Sequence, residues 1–274
     1  MKYLVQYSGG VGSFAAAVEC VRRYGKENVE LLFADTLAED EDLYRFLVDT
    51  QKALDIPLHR IADGRDPWQV FEDVKFLGNS RVDPCSRILK REICKKWVVE
   101  RHSPEEVTIV LGIDWTEEHR VINFQRWWSP YVGIAPLTAR LSDGSMYDKN
   151  RFMLWMENEL KVRRPRLYEL GFPHNNCGGF CVKAGKAHFL HLLETIPARY
   201  TYHEMREREM QRKLGKDYTI LREQRNGVKS YISLTELRQR AEQEKQTEEG
   251  RHDWGGCGCF SDIPEEEMPK KEKK

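Results

Sequence analysis

Residues 7–13 read Tyr7-Ser8-Gly9-Gly10-Val11-Gly12-Ser13. They join an alternating, strand-like segment (1–7) to SFAAAVECVRRY (13–24), whose apolar residues recur at helical spacing. Glycines at a strand-to-helix junction let the backbone turn sharply and bring peptide N–H groups close to an anion. The helix behind them adds the positive end of its dipole, so this geometry suits phosphate. Ser8 and Ser13 add hydroxyl donors to the same loop.

Outward from this loop the pattern repeats. VELLFADT (29–36) is a buried-type strand, EDEDLYRFLVDTQKALD (39–55) a helix with first-turn acids, and PLHRIADG (57–64) a third segment of strand character. Residues 86–101 read as helix and VTIVLGID (107–114) as strand. YVGIAPL (131–137) follows as strand and KNRFMLWMENELKV (149–162) as helix, and a helix is expected over about 183–195 after a Cys- and Gly-rich turn at 174–181. Strand and helix alternating at this pitch predict an α/β fold: a doubly wound parallel sheet of about five strands with helices on both faces. Residues 196–249, rich in Arg, Glu and Gln, read as a mainly helical C-terminal extension interrupted near Asn226-Gly227. The expected division is a nucleotide-binding domain over 1–195, a helical, Cys-containing extension over 196–260, and a charged tail over 261–274.

Composition narrows the function classes. Forty-four Lys and Arg balance forty-four Asp and Glu, so no whole-protein basic field exists for gripping nucleic acid. No apolar run approaches the length of a membrane span, and the N-terminus carries no signal-peptide pattern. These features read as a soluble, cytoplasmic protein, in which the seven cysteines are expected to be reduced.

Two ligand classes compete for the glycine loop. Gly10-x-Gly12-x-x-Ala15 satisfies the dinucleotide fingerprint, and Asp35 stands near the usual distance for a ribose-binding carboxylate. A Rossmann-type oxidoreductase is therefore one reading. The sequence has no GxxxxGK[ST], which excludes the kinase-type P-loop. The rival is the SGG-x-x-S loop of PP-loop ATP pyrophosphatases, and four further elements favour it. Asp83-Pro84-Cys85-Ser86-Arg87-Ile88-Leu89-Lys90, Gly112-Ile113-Asp114 with Glu117-Glu118-His119-Arg120, Pro136-Leu137, and Leu167-Tyr168-x-x-Gly171-Phe172 leading to Cys177 occur in that order. In this the chain resembles the phosphoadenosine phosphosulfate (PAPS) reductase-like family of the PP-loop (HUP-type) superfamily over roughly residues 3–190.

The resemblance implies binding of ATP or an adenylylsulfate with Mg²⁺. It places the nucleotide against Ser8, Gly9, Gly10, Val11, Gly12, Ser13 and Gly112, and it makes Arg87, Lys90 and Arg120 the charge-neutralising catalytic side chains. One departure stands out. The commoner loop of the superfamily is SGG-x-Asp-Ser, and this chain has Gly12 in place of the aspartate. The backbone cradle survives that change, whereas a carboxylate for Mg²⁺ does not.

The cysteines form a second constellation. Cys177 and Cys181 enclose Gly-Gly-Phe, and Cys257 and Cys259 enclose one glycine. Glycine-rich spacing lets thiolates converge on one ion, and four of them suit tetrahedral zinc or an iron–sulfur cluster. The adenylylsulfate reductases of the resembled family hold a [4Fe–4S] cluster, and by that resemblance Cys85 is an alternative ligand. Cys20 falls on an apolar stretch and reads as a buried structural thiol.

Two reactions fit. In one, a substrate oxygen attacks the α-phosphorus of ATP, pyrophosphate leaves, and a sulfur or nitrogen nucleophile then displaces AMP. In the other, a thiolate, with Cys257 or Cys259 the candidates, attacks the sulfur of a sulfonucleotide and displaces the nucleotide phosphate, and reduction of the resulting thiosulfonate by an external thiol releases sulfite. A third class is a nucleotide-binding module, or a thiolation factor acting on tRNA or DNA. Residues 199–240 hold eleven Lys or Arg against six Asp or Glu, interleaved with tyrosines. An ion-paired helical face explains the same residues, and Trp127-Trp128 reads as core packing or as a base-stacking platform.

Overall fold

Chain order in the computed structural model, which describes residues 1–79, 81–215, 218–225 and 228–244, alternates strand and helix through the first 134 residues. The elements are β1 (Lys2–Gln6), α1 (Val11–Tyr24), β2 (Val29–Asp35), α2 (Glu41–Leu54), β3 (Leu58–Ala62), α3 (Pro67–Asp73), α4 (Pro84–Ser86), α5 (Ile93–Val99), β4 (Val107–Val110), α6 (Val121–Trp128) and β5 (Val132–Ile134). They are followed by α7 (Lys149–Asn158), α8 (Arg166–Glu169), α9 (Lys186–Thr195), α10 (Pro197–Leu214), β6 (Leu221–Arg225), β7 (Val228–Ile232) and α11 (Leu234–Glu244).

Strands β1 to β5 form one parallel sheet in the order β3-β2-β1-β4-β5. The chain winds outward from β1 in one direction and then resumes on its other side at β4. The crevice between the C-terminal ends of β1 and β4 is therefore the topological switch point, where ligands bind in open α/β sheets. Side-chain alternation shows why both faces need helices. Val5, Leu31 and Phe33 pack with α1, α2 and α7, while Leu4, Leu32, Ala34 and Ile109 pack with α5 and α6. A strand buried on both faces reads as an unbroken apolar run, which Leu31-Leu32-Phe33-Ala34 supplies in the middle of β2.

Several expectations are corrected. The 86–101 helix is three pieces: α4, a π-helical turn at Arg87–Glu92, and α5. Helices α3 and α6 were not expected. Asp66 and Gln69 close a capping box at the start of α3, with Pro67 in the first turn. The extension is mainly helical, as expected, and what interrupts it is a pair of antiparallel strands, β6 and β7, with Arg225 opposite Val228. Helices α9, α10 and α11 and this strand pair share one apolar cluster with Trp68, Phe71, Leu167, Phe172 and Phe180. Trp127 and Trp128 are core residues on the α5–α6 side of the sheet, as is Cys94, while Cys20 is buried in α1. No helix among the described residues is long and apolar enough to cross a membrane.

Candidate functional site

A cavity of about 270 Å³ opens at the switch point. Its walls come from the loop after β1 (Ser8, Gly10, Gly12, Ser13), the loop after β4 (Gly112, Ile113, Asp114), and more distant segments that contribute Lys90, Arg120, Lys149, Tyr168 and residues 174–176.

The glycine loop is shaped by contacts no other residue would allow. Gly9 has φ +72°, and a β-carbon there would strike the Leu43 side chain at 2.8 Å. A β-carbon on Gly112 would stand 2.7 Å from the backbone of Gly12 and Ser13, so the two loops touch main chain to main chain. The loop is also tied from within and from outside. Ser8 N–H donates to Ser13 Oγ at 3.2 Å, and Ser13 Oγ donates to the Gly10 carbonyl at 2.9 Å. The Tyr168 hydroxyl accepts Val11 N–H at 3.3 Å, and Asn175 Nδ2 donates to the Gly9 carbonyl at 2.9 Å.

Helix α1 begins at this loop with Gly10 as its N-cap, no side-chain cap and no acid in its first turn. In α2, α3 and α7 an aspartate side chain fills that role. The N-terminal N–H groups of α1 thus present a positive end to the cavity. Three cations add to it, facing two carboxylates, Asp114 and Glu117. Lys90, on the π-helical turn, is buried and lies 3.5 Å from the fully buried Glu39 carboxyl. Arg120 pairs with Glu117. Lys149 donates to the Pro173 carbonyl at 2.7 Å and sits over the Tyr168 ring. Burial lowers its pKa, while Asp114 and Glu117 oppose that shift. Burial raises the pKa of the Glu39 carboxyl, and Lys90, Thr36 and the Cys177 N–H each work against the rise. Glu39 also lines a second cavity of about 470 Å³ together with Trp68, Phe180 and His203, so the two members of the Glu39–Lys90 pair line different cavities.

Of the residues singled out in the sequence, Ser8, Gly10, Gly12, Ser13, Lys90, Gly112 and Arg120 line one cavity, and Gly9 and Val11 belong to its loop. Pro136-Leu137 lies alongside, since Leu137 bridges Asp114 in parallel. Arg87 does not line the cavity and pairs with Glu92. Asp35 does not either. Its buried carboxylate accepts from Arg60, from the Tyr44 hydroxyl and from Leu37 N–H, so the ribose carboxylate of the dinucleotide reading is engaged elsewhere. His174 lines the cavity, His119 is exposed, and His188 is buried against the Gly179 carbonyl.

Cys177 is buried with φ +47°, at the head of a turn that continues through Gly178 and Gly179 at positive φ. Cys85 and Cys181 are partly buried against the same apolar cluster. Among the described residues no three His, Cys, Asp or Glu side chains converge as metal ligands. Cys257 and Cys259 lie outside the described residues. In the 199–240 stretch, Arg199, Arg206, Arg238 and Arg240 are each held by a carboxylate, as an ion-paired face requires.

Gln6, Glu39, Tyr147, Lys149, Asn175 and Asn176 were not singled out by sequence reasoning. Only Gln6 carried a signal, as a polar residue directly after the apolar run Tyr3-Leu4-Val5.

No protein-family model matches the chain, and no curated protein matches it. Among solved structures it is similar to the phosphoadenylyl-sulfate (PAPS) reductase from Candida auris in its phosphate complex. The identity is 16%, the match covers 62% of this chain and 78% of that chain, and the TM-score is 0.41. A likeness of this size identifies neither family nor activity. What the fold and the cavity define by themselves is an α/β protein with a cavity at its switch point, lined by the N-terminus of α1 and by Lys90, Arg120 and Lys149.

Proposed function

We propose that this cavity binds an adenine nucleotide, ATP or an adenylylsulfate, and that the chain is a PAPS reductase-like PP-loop enzyme working through adenylation-linked sulfur transfer. One observation carries the reading. Ser8, Gly10, Gly12, Ser13, Lys90, residues 112–114, Glu117, Arg120, Tyr168 and residues 174–176 are far apart in sequence, and the glycine loop and three of the four further motifs that resemble that family contribute to them. They line a single cavity at the switch point.

The chemistry follows from the charges. Phosphate oxygens rest on the N-terminus of α1, and Lys90, Arg120 and Lys149 neutralise the charge that builds as a substrate oxygen bonds to the α-phosphorus and the bond to pyrophosphate breaks. Such catalysis is positioning and electrostatics, with little covalent work for the protein. Asp114 and Glu117 at the cavity wall suit the Mg²⁺ that accompanies a nucleotide, since one or two carboxylates plus phosphates are its usual ligands.

The test is product release. Incubation with ATP and Mg²⁺ is expected to yield AMP and pyrophosphate once an acceptor is supplied. Sulfite release from PAPS would move the assignment to sulfonucleotide reduction. Binding of NAD with no binding of ATP would overturn it.

A further inference from the structure

Four buried polar atoms on residues lining the cavity have no partner in the protein: Nε2 and Oε1 of Gln6, the Tyr147 hydroxyl and Oδ1 of Asn175. All three residues are at least nine-tenths buried. Native proteins seldom leave such groups unpaired, and clusters of them mark places where something else supplies the partner.

Each has a structural reason to be where it is. Gln6 ends β1 on the face where Leu4, Leu32 and Ala34 are apolar, so packing alone would favour an aliphatic side chain there. The Tyr147 ring belongs to the α1–α7 core, tilted against Phe152, which leaves its hydroxyl as the polar tip. Asn175 spends its Nδ2 on the Gly9 carbonyl. Turning that amide over would set two oxygens against each other, so Oδ1 is the atom left over.

The donor and acceptor balance of this set is informative. Ionised phosphate oxygens only accept hydrogen bonds. They satisfy Lys90, Arg120, Lys149 and backbone N–H groups, but they donate nothing to Asn175 Oδ1 or Gln6 Oε1. A ligand that satisfies the whole cavity carries O–H or N–H donors beside its phosphates, as a nucleoside does through its sugar hydroxyls and base amino group.

We propose that Gln6, Tyr147 and Asn175 form a neutral recognition set for the nucleoside half of the ligand, distinct from the cationic set that holds its phosphates. The proposal rests on the nucleotide reading above and adds to it the residues that distinguish a nucleotide from a bare polyphosphate. A site built to hydrogen-bond a ligand group rejects an analogue lacking it, because its own buried polar atoms are then left unpaired.

Calorimetric titration of the full chain with ATP and with pyrophosphate, in wild type, Gln6→Met and Tyr147→Phe, tests this. Both substitutions keep side-chain volume and remove the unpaired groups, so the ligand-free protein is expected to melt no lower than wild type. ATP affinity is expected to fall about tenfold or more in Gln6→Met and about threefold to tenfold in Tyr147→Phe, while pyrophosphate affinity changes by less than about twofold. A purely structural role would instead lower the melting temperature and weaken both ligands together, and that result overturns the proposal. So does ATP binding unchanged in both variants, or wild type binding pyrophosphate as tightly as ATP. Wild type that takes up neither ligand overturns the nucleotide reading itself, and this inference with it.

Discussion

Gly112 lies against Gly12 so closely that a β-carbon on it would stand 2.7 Å from the Gly12 carbonyl carbon and oxygen. The obstacle is backbone on backbone, with no flexible side chain to give way. The reverse substitution is milder, since a β-carbon on Gly12 would meet only the Gly112 carbonyl oxygen, at 3.1 Å. Gly112→Ala is therefore expected to part the two loops, costing about 1–3 kcal/mol in a urea melt and at least tenfold in nucleotide affinity. Gly12→Ala is expected to cost less on both counts. Equal effects of the two would contradict the account.

The pairing of Lys90 with Glu39 yields a second prediction. Lys90→Met leaves a fully buried carboxyl without its cation, a loss that typically costs about 3–5 kcal/mol. The double variant Lys90→Met with Glu39→Gln is expected to recover most of that stability, but not nucleotide binding. Recovery of both would make Lys90 a structural residue alone.

How far these features were legible in the sequence differs from one to the next. The glycine loop and the strand VELLFAD could be read because a local constraint, a turn or a two-faced burial, writes itself into consecutive residues. Asn226-Gly227 between two short β-prone runs is a hairpin signal that the surrounding charged, helix-prone composition outweighed. Asp35 stood at the expected sequence distance for a ribose contact, but Arg60 on the neighbouring strand and Tyr44 on α2 engage its carboxylate. Tyr147, Lys149 and Asn175 belong to the site only through tertiary folding, and no spacing rule marks them.

Glu207 on α10 is buried and accepts N–H groups from Ile220 and Leu234, joining the helix to the starts of the hairpin and of α11. Burial raises its pKa to about 7, against a reference value of 4.5. Between those values the folded state binds more proton than the unfolded one, so stability falls as pH rises from 4.5 through about 7 and levels off above it. Urea midpoints measured from pH 5 to 8 are expected to show this decline in wild type, and a flatter profile in Glu207→Gln. An unchanged slope in the variant would remove Glu207 as its source.

The thiolate-site reading of Cys177, Cys181, Cys257 and Cys259 predicts zinc, or iron with matching sulfide, in anaerobically purified protein. That metal is expected to be lost in Cys177→Ala and in the double variant Cys257→Ser, Cys259→Ser. Metal retained in the double variant would restrict the ligands to the remaining cysteines, Cys85 among them. Metal-free wild type would leave the cysteines as reduced thiols.

The most direct measurement of the central claim is amide hydrogen exchange with and without ATP and Mg²⁺. Nucleotide seated at the switch point is expected to slow exchange in residues 11–13, whose N–H groups head α1, and in residues 112–114 and 174–176. Unchanged exchange in those three segments under saturating ATP, or protection confined to other parts of the chain, would contradict it.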